Sequence, residues 1–216
     1  MARKLQSPQI RRPMPSAKLG EWDGSATRMF EPAPEVKAWM LSTFIEEGAP
    51  LYNEDHKHLS NADFEVLWAS RGFERQGRFV LGTTEEVAFR AGGWQKERQE
   101  FQMQQWFGRI PHYLITLDGA FAREADDADW CALVEHELYH IGQKTEFGAP
   151  AFKRDGQPKL YMRGHDVEEF VGIVRRYGTG HPGGKLASLV SAANTQPTVS
   201  RYRMAQACGT CLLKAA

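Results

Sequence analysis

Cysteine is scarce in this chain: Cys131, Cys208 and Cys211 are the three in 216 residues. So sparse and odd a set does not build the disulfide framework of a small secreted domain. The sequence therefore reads as a protein of a reducing compartment, expected in the cytoplasm. Long apolar runs are missing too, and nothing approaches the ~20 residues of a membrane span, so no membrane partner is expected. Net charge is absent: 27 basic residues balance 27 acidic ones, and the overall field points neither to nucleic acid nor to an anionic surface. Residues 1–5 carry charge without an apolar stretch behind them, which does not read as a secretory signal. Against these absences stands an ordinary hydrophobic content of 42%, enough at this length for one domain with extensions.

What is present centres on residues 126–142. Trp130, Leu133, Val134, Leu138 and Ile141 recur with helical period. Asp126, Asp127 and Asp129 offer an N-cap and the negative charge that a helix start favours, and Gly142 is a plausible stop. The spacing predicts a helix carrying His136-Glu137-Leu138-Tyr139-His140, an H-E-x-x-H match. Residues four apart share a helical face, so both imidazoles can reach one ion, and Glu137 stands beside the first of them. Metal-assisted hydrolysis needs these groups: an ion that acidifies water and a carboxylate that moves its proton.

A catalytic zinc commonly takes three protein ligands, so a third must come from elsewhere. Residues 164–178 read as a second amphipathic helix built on Val167, Phe170, Val171, Val174 and Tyr177, ending at Gly178. His165 stands at its start and Glu169 four residues on. Either can ligate while the other orients a ligand; His165 is the first choice, as an imidazole at a position free to aim.

These residues carry a resemblance. His136-Glu137-Leu138-Tyr139-His140-Ile141, then His165-Asp166-Val167-Glu168-Glu169-Phe170, with Tyr113-Leu114-Ile115-Thr116-Leu117-Asp118 upstream, resemble the putative phage metallopeptidase family over about residues 55–178. The pattern also looks like the wider SprT-like, zincin-type zinc proteases. The resemblance implies an α+β fold, a small sheet packed on helices with the motif on the active-site helix. It implies Zn²⁺ held by His136, His140 and His165, with Glu137 as catalytic acid and base, and a protein or peptide substrate bound along an edge strand. It also implies a phage-encoded protein working in the host cytoplasm. The competing reading is a non-enzymatic, zinc-stabilised interaction protein.

Around the motifs, residues 1–34 hold Arg3, Lys4, Arg11, Arg12 and Lys18 among five prolines and read as a mobile, mildly basic arm. Such an arm can touch nucleic acid, although a solvated tail is the plainer reading. Residues 35–178 form the expected metallopeptidase domain, with a helix over 35–47, strands at 64–68 and 78–82 joined as a hairpin through 71–77, a helix over 94–107 and a strand at 113–117. His56 and His58 read as a surface pair in a polar loop. Between the motifs, residues 145–162 read as a loop or hairpin near the metal. Tyr161 there is a weak candidate for hydrogen-bonding an oxyanion, packing or a rim position being the plainer role. Residues 179–216 read as a linker and polar tail with little period, closing on Cys208-Gly209-Thr210-Cys211. One C-x-x-C pair is half a zinc ribbon, a dithiol, or two unconnected thiols, the last being preferred. Cys131 reads as a small buried apolar residue.

Overall fold

The computed structural model describes residues 11–20, 27–75, 77–168 and 171–201. In chain order it contains α1 (Ala17–Gly20), β1 (Phe30–Pro32) and α2 (Pro34–Met40), which runs on as a π turn to Ile45. A 3₁₀ segment follows at Glu54–Asn61, then β2 (Phe64–Ala69), β3 (Phe73–Arg75), β4 (Arg78–Val80), β5 (Gly82–Glu86), α3 (Gly93–Phe107) and β6 (Tyr113–Asp118). The second half holds α4 (Gly119–Glu124), α5 (Asp127–Tyr139), β7 (Ile141–Gln143), β8 (Thr145–Glu146), β9 (Ala149–Pro150), β10 (Leu160–Met162), α6 (Val171–Tyr177) and α7 (Lys185–Ala193). Helices pack against small sheets, an α+β arrangement. No helix among the described residues is long and apolar enough to cross a membrane.

The main sheet has the order β1-β2-β6-β5. β2 and β6 run parallel, with Val66 opposite Ile115, while β1 and β5 flank them antiparallel. Phe64, Val66, Leu67 and Trp68 of β2 are buried, as are Leu114, Ile115 and Leu117 of β6. Strands covered on both faces read as near-continuous apolar runs, and these do. This corrects the expected pairing of 64–68 with 78–82. Residues 78–80 pair with β3 in a separate ribbon, and Gly82 opens β5, which pairs with β6. β-Propensity marks a strand but does not name its partner.

The core is a layer of tryptophans beneath the sheet. Trp68 and Trp39 flank Trp130, with centroids 5.5 and 6.3 Å away, and all three are buried. Trp130 thereby anchors α5. The helix starts at Asp126, whose side chain accepts from the Asp129 amide at 2.8 Å, as the acidic entry predicts.

Residues 11–19, expected in a mobile arm, dock on the domain through Arg12, Pro15 and Leu19, while Arg11, Met14 and residues 16–18 stay exposed. Leu19 joins the core at 1% exposure. Arg12, at 4%, donates to the carbonyls of Ala122, Ala125 and Asp126, lies over the Trp130 ring at 5.7 Å and pairs with Asp127 at 3.5 Å. The guanidinium sits at the C-terminal end of α4, where unpaired carbonyls attract a cation. A contact closed across more than a hundred residues leaves no periodic trace in the arm itself.

The ends of helices hold further corrections. α5 stops at Tyr139 rather than at Gly142, because Ile141–Gln143 leave the helix to pair with β10. Residues 163–168 are irregular and α6 begins at Val171, so His165 lies in a loop before the helix rather than at its first turn. Glu169 falls outside the described residues, as do Cys208 and Cys211. The expected polar tail forms α7 over Lys185–Ala193, with Leu186, Leu189, Val190 and Ala193 on one face and Ser188 and Ser191 on the other. His56 and His58 belong to the 3₁₀ segment, not to a surface loop. His56 is fully buried against Tyr139, and the His58 Nε2 donates to the Ile141 carbonyl at 2.7 Å.

Replacing Arg12 by Met should destabilise the fold by about 3–5 kcal/mol, the cost of breaking a buried ion pair. Chemical denaturation checks this; a solvated arm would give no change.

Candidate metal centre

Three side chains from two segments converge on one point. α5 supplies His136 and, at its C-cap, His140; the irregular segment after β10 supplies His165. The three ring centroids form a near-equilateral triangle, 5.0 Å on each side. Their ligating nitrogens lie within 4.8 Å of one another, the one such cluster among the described residues. His136 Nε2 and His165 Nε2 are 3.1 Å apart. Nitrogens bound at ~2.0–2.1 Å to one tetrahedral zinc stand about 3.3 Å apart, so this donor set and spacing fit such an ion.

The third histidine arrives through the backbone. The antiparallel pair β7–β10 sets Met162 opposite Ile141. One residue beyond, the Arg163 amide donates to the His140 carbonyl at 2.7 Å, and the His140 Nδ1 donates to the Arg163 carbonyl at 2.8 Å. The latter bond fixes the imidazole tautomer and leaves Nε2 as a bare lone pair, the usual way a ligating histidine is oriented. Burial, together with the neighbouring His140 and His165, holds the His136 pKa below its ordinary value, which favours the neutral, ligating form.

Glu137 points to the sheet side of α5. It is 3% exposed, and the Thr84 hydroxyl on β5 lies 2.8 Å from both its Oε2 and its main-chain carbonyl. Gly82 makes room for it: a Cβ there would stand 2.7 Å from Glu137 Oε1. Burial pushes the Glu137 pKa up, opposed by the Thr84 hydrogen bond and by His140. The group is thus tuned towards carrying a proton.

A cleft of about 690 Å³ opens over the histidines, walled by Val167 on the loop and by Ser188, Leu189 and Ala192 on α7. Asp166 ties the two walls together, accepting from Arg163 Nη2 at 2.7 Å and from Lys185 Nζ at 3.2 Å. Behind the site Tyr139 donates to Asp55, and Asn53 donates to both Glu135 and the Tyr139 oxygen. Tyr161 is not brought to the histidines. Its ring covers Gly142, where a Cβ would come within 2.7 Å of it, and it faces a separate cavity with His56 and His58. Thr84, Gly82 and Arg163 carry no motif in the sequence; the strand containing the first two is short and polar.

Against known proteins, the chain matches the family described as Putative phage metallopeptidase over residues 37–194. It belongs to that family. The match takes in the whole histidine triangle, Glu137, Thr84 and α7, and extends past the boundary at 178 drawn from the motifs. Comparison with curated proteins and with solved structures returned no match. Membership in this metallopeptidase family implies a bound metal, and the imidazole triangle is where the described residues can hold one.

Zinc titration of the chelator-stripped chain is expected to give about one equivalent bound. His136→Ala, His140→Ala and His165→Ala should each weaken binding by at least about tenfold, while His56→Ala leaves it unchanged. Equilibrium dialysis with metal analysis reads all four.

Proposed function

We propose that this chain is a zinc-dependent metallopeptidase of zincin-like, SprT-like arrangement. On this reading His136, His140 and His165 hold the ion, and Glu137 is the general acid and base. The observation that supports it best is the equilateral imidazole triangle with one buried, hydrogen-bonded carboxylate beside it. When bound, zinc would polarise the scissile carbonyl and acidify water.

The chain's own residues divide the remaining work. Glu137 takes a proton from the attacking water and passes it to the departing amine. Thr84 holds the carboxylate in place, and its hydrogen bond limits how far burial can raise the pKa. β5 ends the sheet with one edge unpaired among the described residues, directly beside Glu137, so an extended peptide can add to it by backbone hydrogen bonds. Leu189, Ala192 and Val167 offer an apolar wall to a side chain flanking the cleaved bond. The substrate is a protein or peptide. A site of purely structural role tends to be closed by four protein ligands; among the described residues this cluster has three.

Glu137→Gln should retain zinc while lowering casein cleavage by about 10²–10⁴-fold. Turnover at the wild-type rate in a zinc-loaded Gln variant would remove Glu137 from this role. Gly82→Ala should displace the carboxylate and lower kcat by about tenfold or more, with KM and thermal stability little changed. An unchanged kcat would show that the packing of Gly82 against Glu137 has no part in turnover.

A further inference from the structure

α3 is the longest helix described, yet none of its residues is fully buried. Its inner face, with Met103, Trp106 and Phe107 half-buried, rests on β1, where Trp106 meets Phe30 at 6.4 Å. The opposite face carries two exposed aromatics, Trp94 at 84% and Phe101 at 64%. These two are separated by two helical turns and so stand on one side of the rod. Between them lie Glu97 and Arg98, and the four side chains line a single surface groove of about 460 Å³. Neither Glu97 nor Arg98 forms an ion pair with any described residue, whereas Lys96 and Glu100 on the flank satisfy each other at 3.4 Å.

The order aromatic, acid, base, aromatic is complementary to itself when reversed. A two-fold axis crossing α3 between Glu97 and Arg98 sets two copies antiparallel. It brings Trp94 over Phe101 of the second copy, Glu97 against Arg98 of the second copy, and the same pairs again by symmetry. This is an isologous interface, in which each patch meets its own copy. We propose that α3 is a homodimerisation surface and that its occupant is α3 of a second copy of this chain. Buried aromatics are worth about 150–250 Å² each, so four partly exposed rings cover on the order of 600 Å². That is below the ~1,200 Å² of a standard stable interface, so the expected association is weak and concentration-dependent.

Sedimentation equilibrium of the full, zinc-loaded chain at concentrations up to about 100 µM, a range suited to a micromolar complex, is the test. The wild type should form a dimer that dissociates on dilution. Glu97→Arg and Arg98→Glu each place like charges across the axis and should raise the dissociation constant by at least about tenfold. Mixing those two variants restores both pairs, so a one-to-one heterodimer should form where neither associates alone. The double reversal Glu97→Arg with Arg98→Glu should self-associate as the wild type does. Trp94→Ala should weaken the dimer with circular dichroism and zinc content unchanged. A wild-type chain that stays monomeric throughout would overturn the proposal and leave the face to a partner of different sequence. A dimer indifferent to both single charge reversals would overturn it as well, by placing the interface elsewhere.

Discussion

Two hydrogen bonds between His140 and Arg163 set the distance on which the site depends. The carbonyl of one residue accepts from the amide of the other, and the imidazole returns a bond to the second carbonyl. Without them the loop after β10 would be free to wander, and His165 would have no reason to stand beside α5. The clamp needs α5 to stop at Tyr139, because only a chain that has left the helix can offer Ile141–Gln143 to a partner strand. The premature helix end and the convergence of the three rings are thus one event. His58 reinforces it by occupying the Ile141 carbonyl at 2.7 Å.

The other side of α5 is fixed by burial. Trp130 is locked between two tryptophans and covered by Arg12, so the helix cannot rotate about its axis without opening the core. Its rotational setting decides that His136 and His140 face the cleft while Glu137 faces β5. A buried carboxylate with a single neutral hydroxyl partner is expensive as an anion, and its raised pKa follows. Stability and chemistry draw on the same residues: the packing that anchors the fold also aims the carboxylate.

The sequence made legible whatever repeats with a local period. The motif helix, the strand at 113–117 and the helix over 94–107 announce themselves through spacing, and the i, i+4 histidines predict rings on one face. Interactions that depend on distant partners left no such mark. The docking of Arg12, the pairing of β5 with β6 and the burial of His56 each join segments far apart in the chain. Glycine was misleading as a signal, because Gly142 looks like a helix stop but serves as the small residue beneath the Tyr161 ring. The helix at 185–193 does carry a period, Leu186, Leu189, Val190 and Ala193 on one face and Ser188 and Ser191 on the other, but it is short and follows a glycine-rich linker that masks its start.

Asp166 joins Arg163 to Lys185, and with them the loop bearing His165 to α7. All three partners are well exposed, at 35%, 55% and 73% of their side-chain surface, where ion pairs contribute about 0–1 kcal/mol and salt screens them. One wall of the cleft is accordingly clamped by backbone hydrogen bonds to α5, while the facing wall meets it through exposed ion pairs and its chain returns to the core at Val199. The contact between the two walls is therefore the part of the site most exposed to the surrounding electrolyte, whereas the histidine clamp behind it is not.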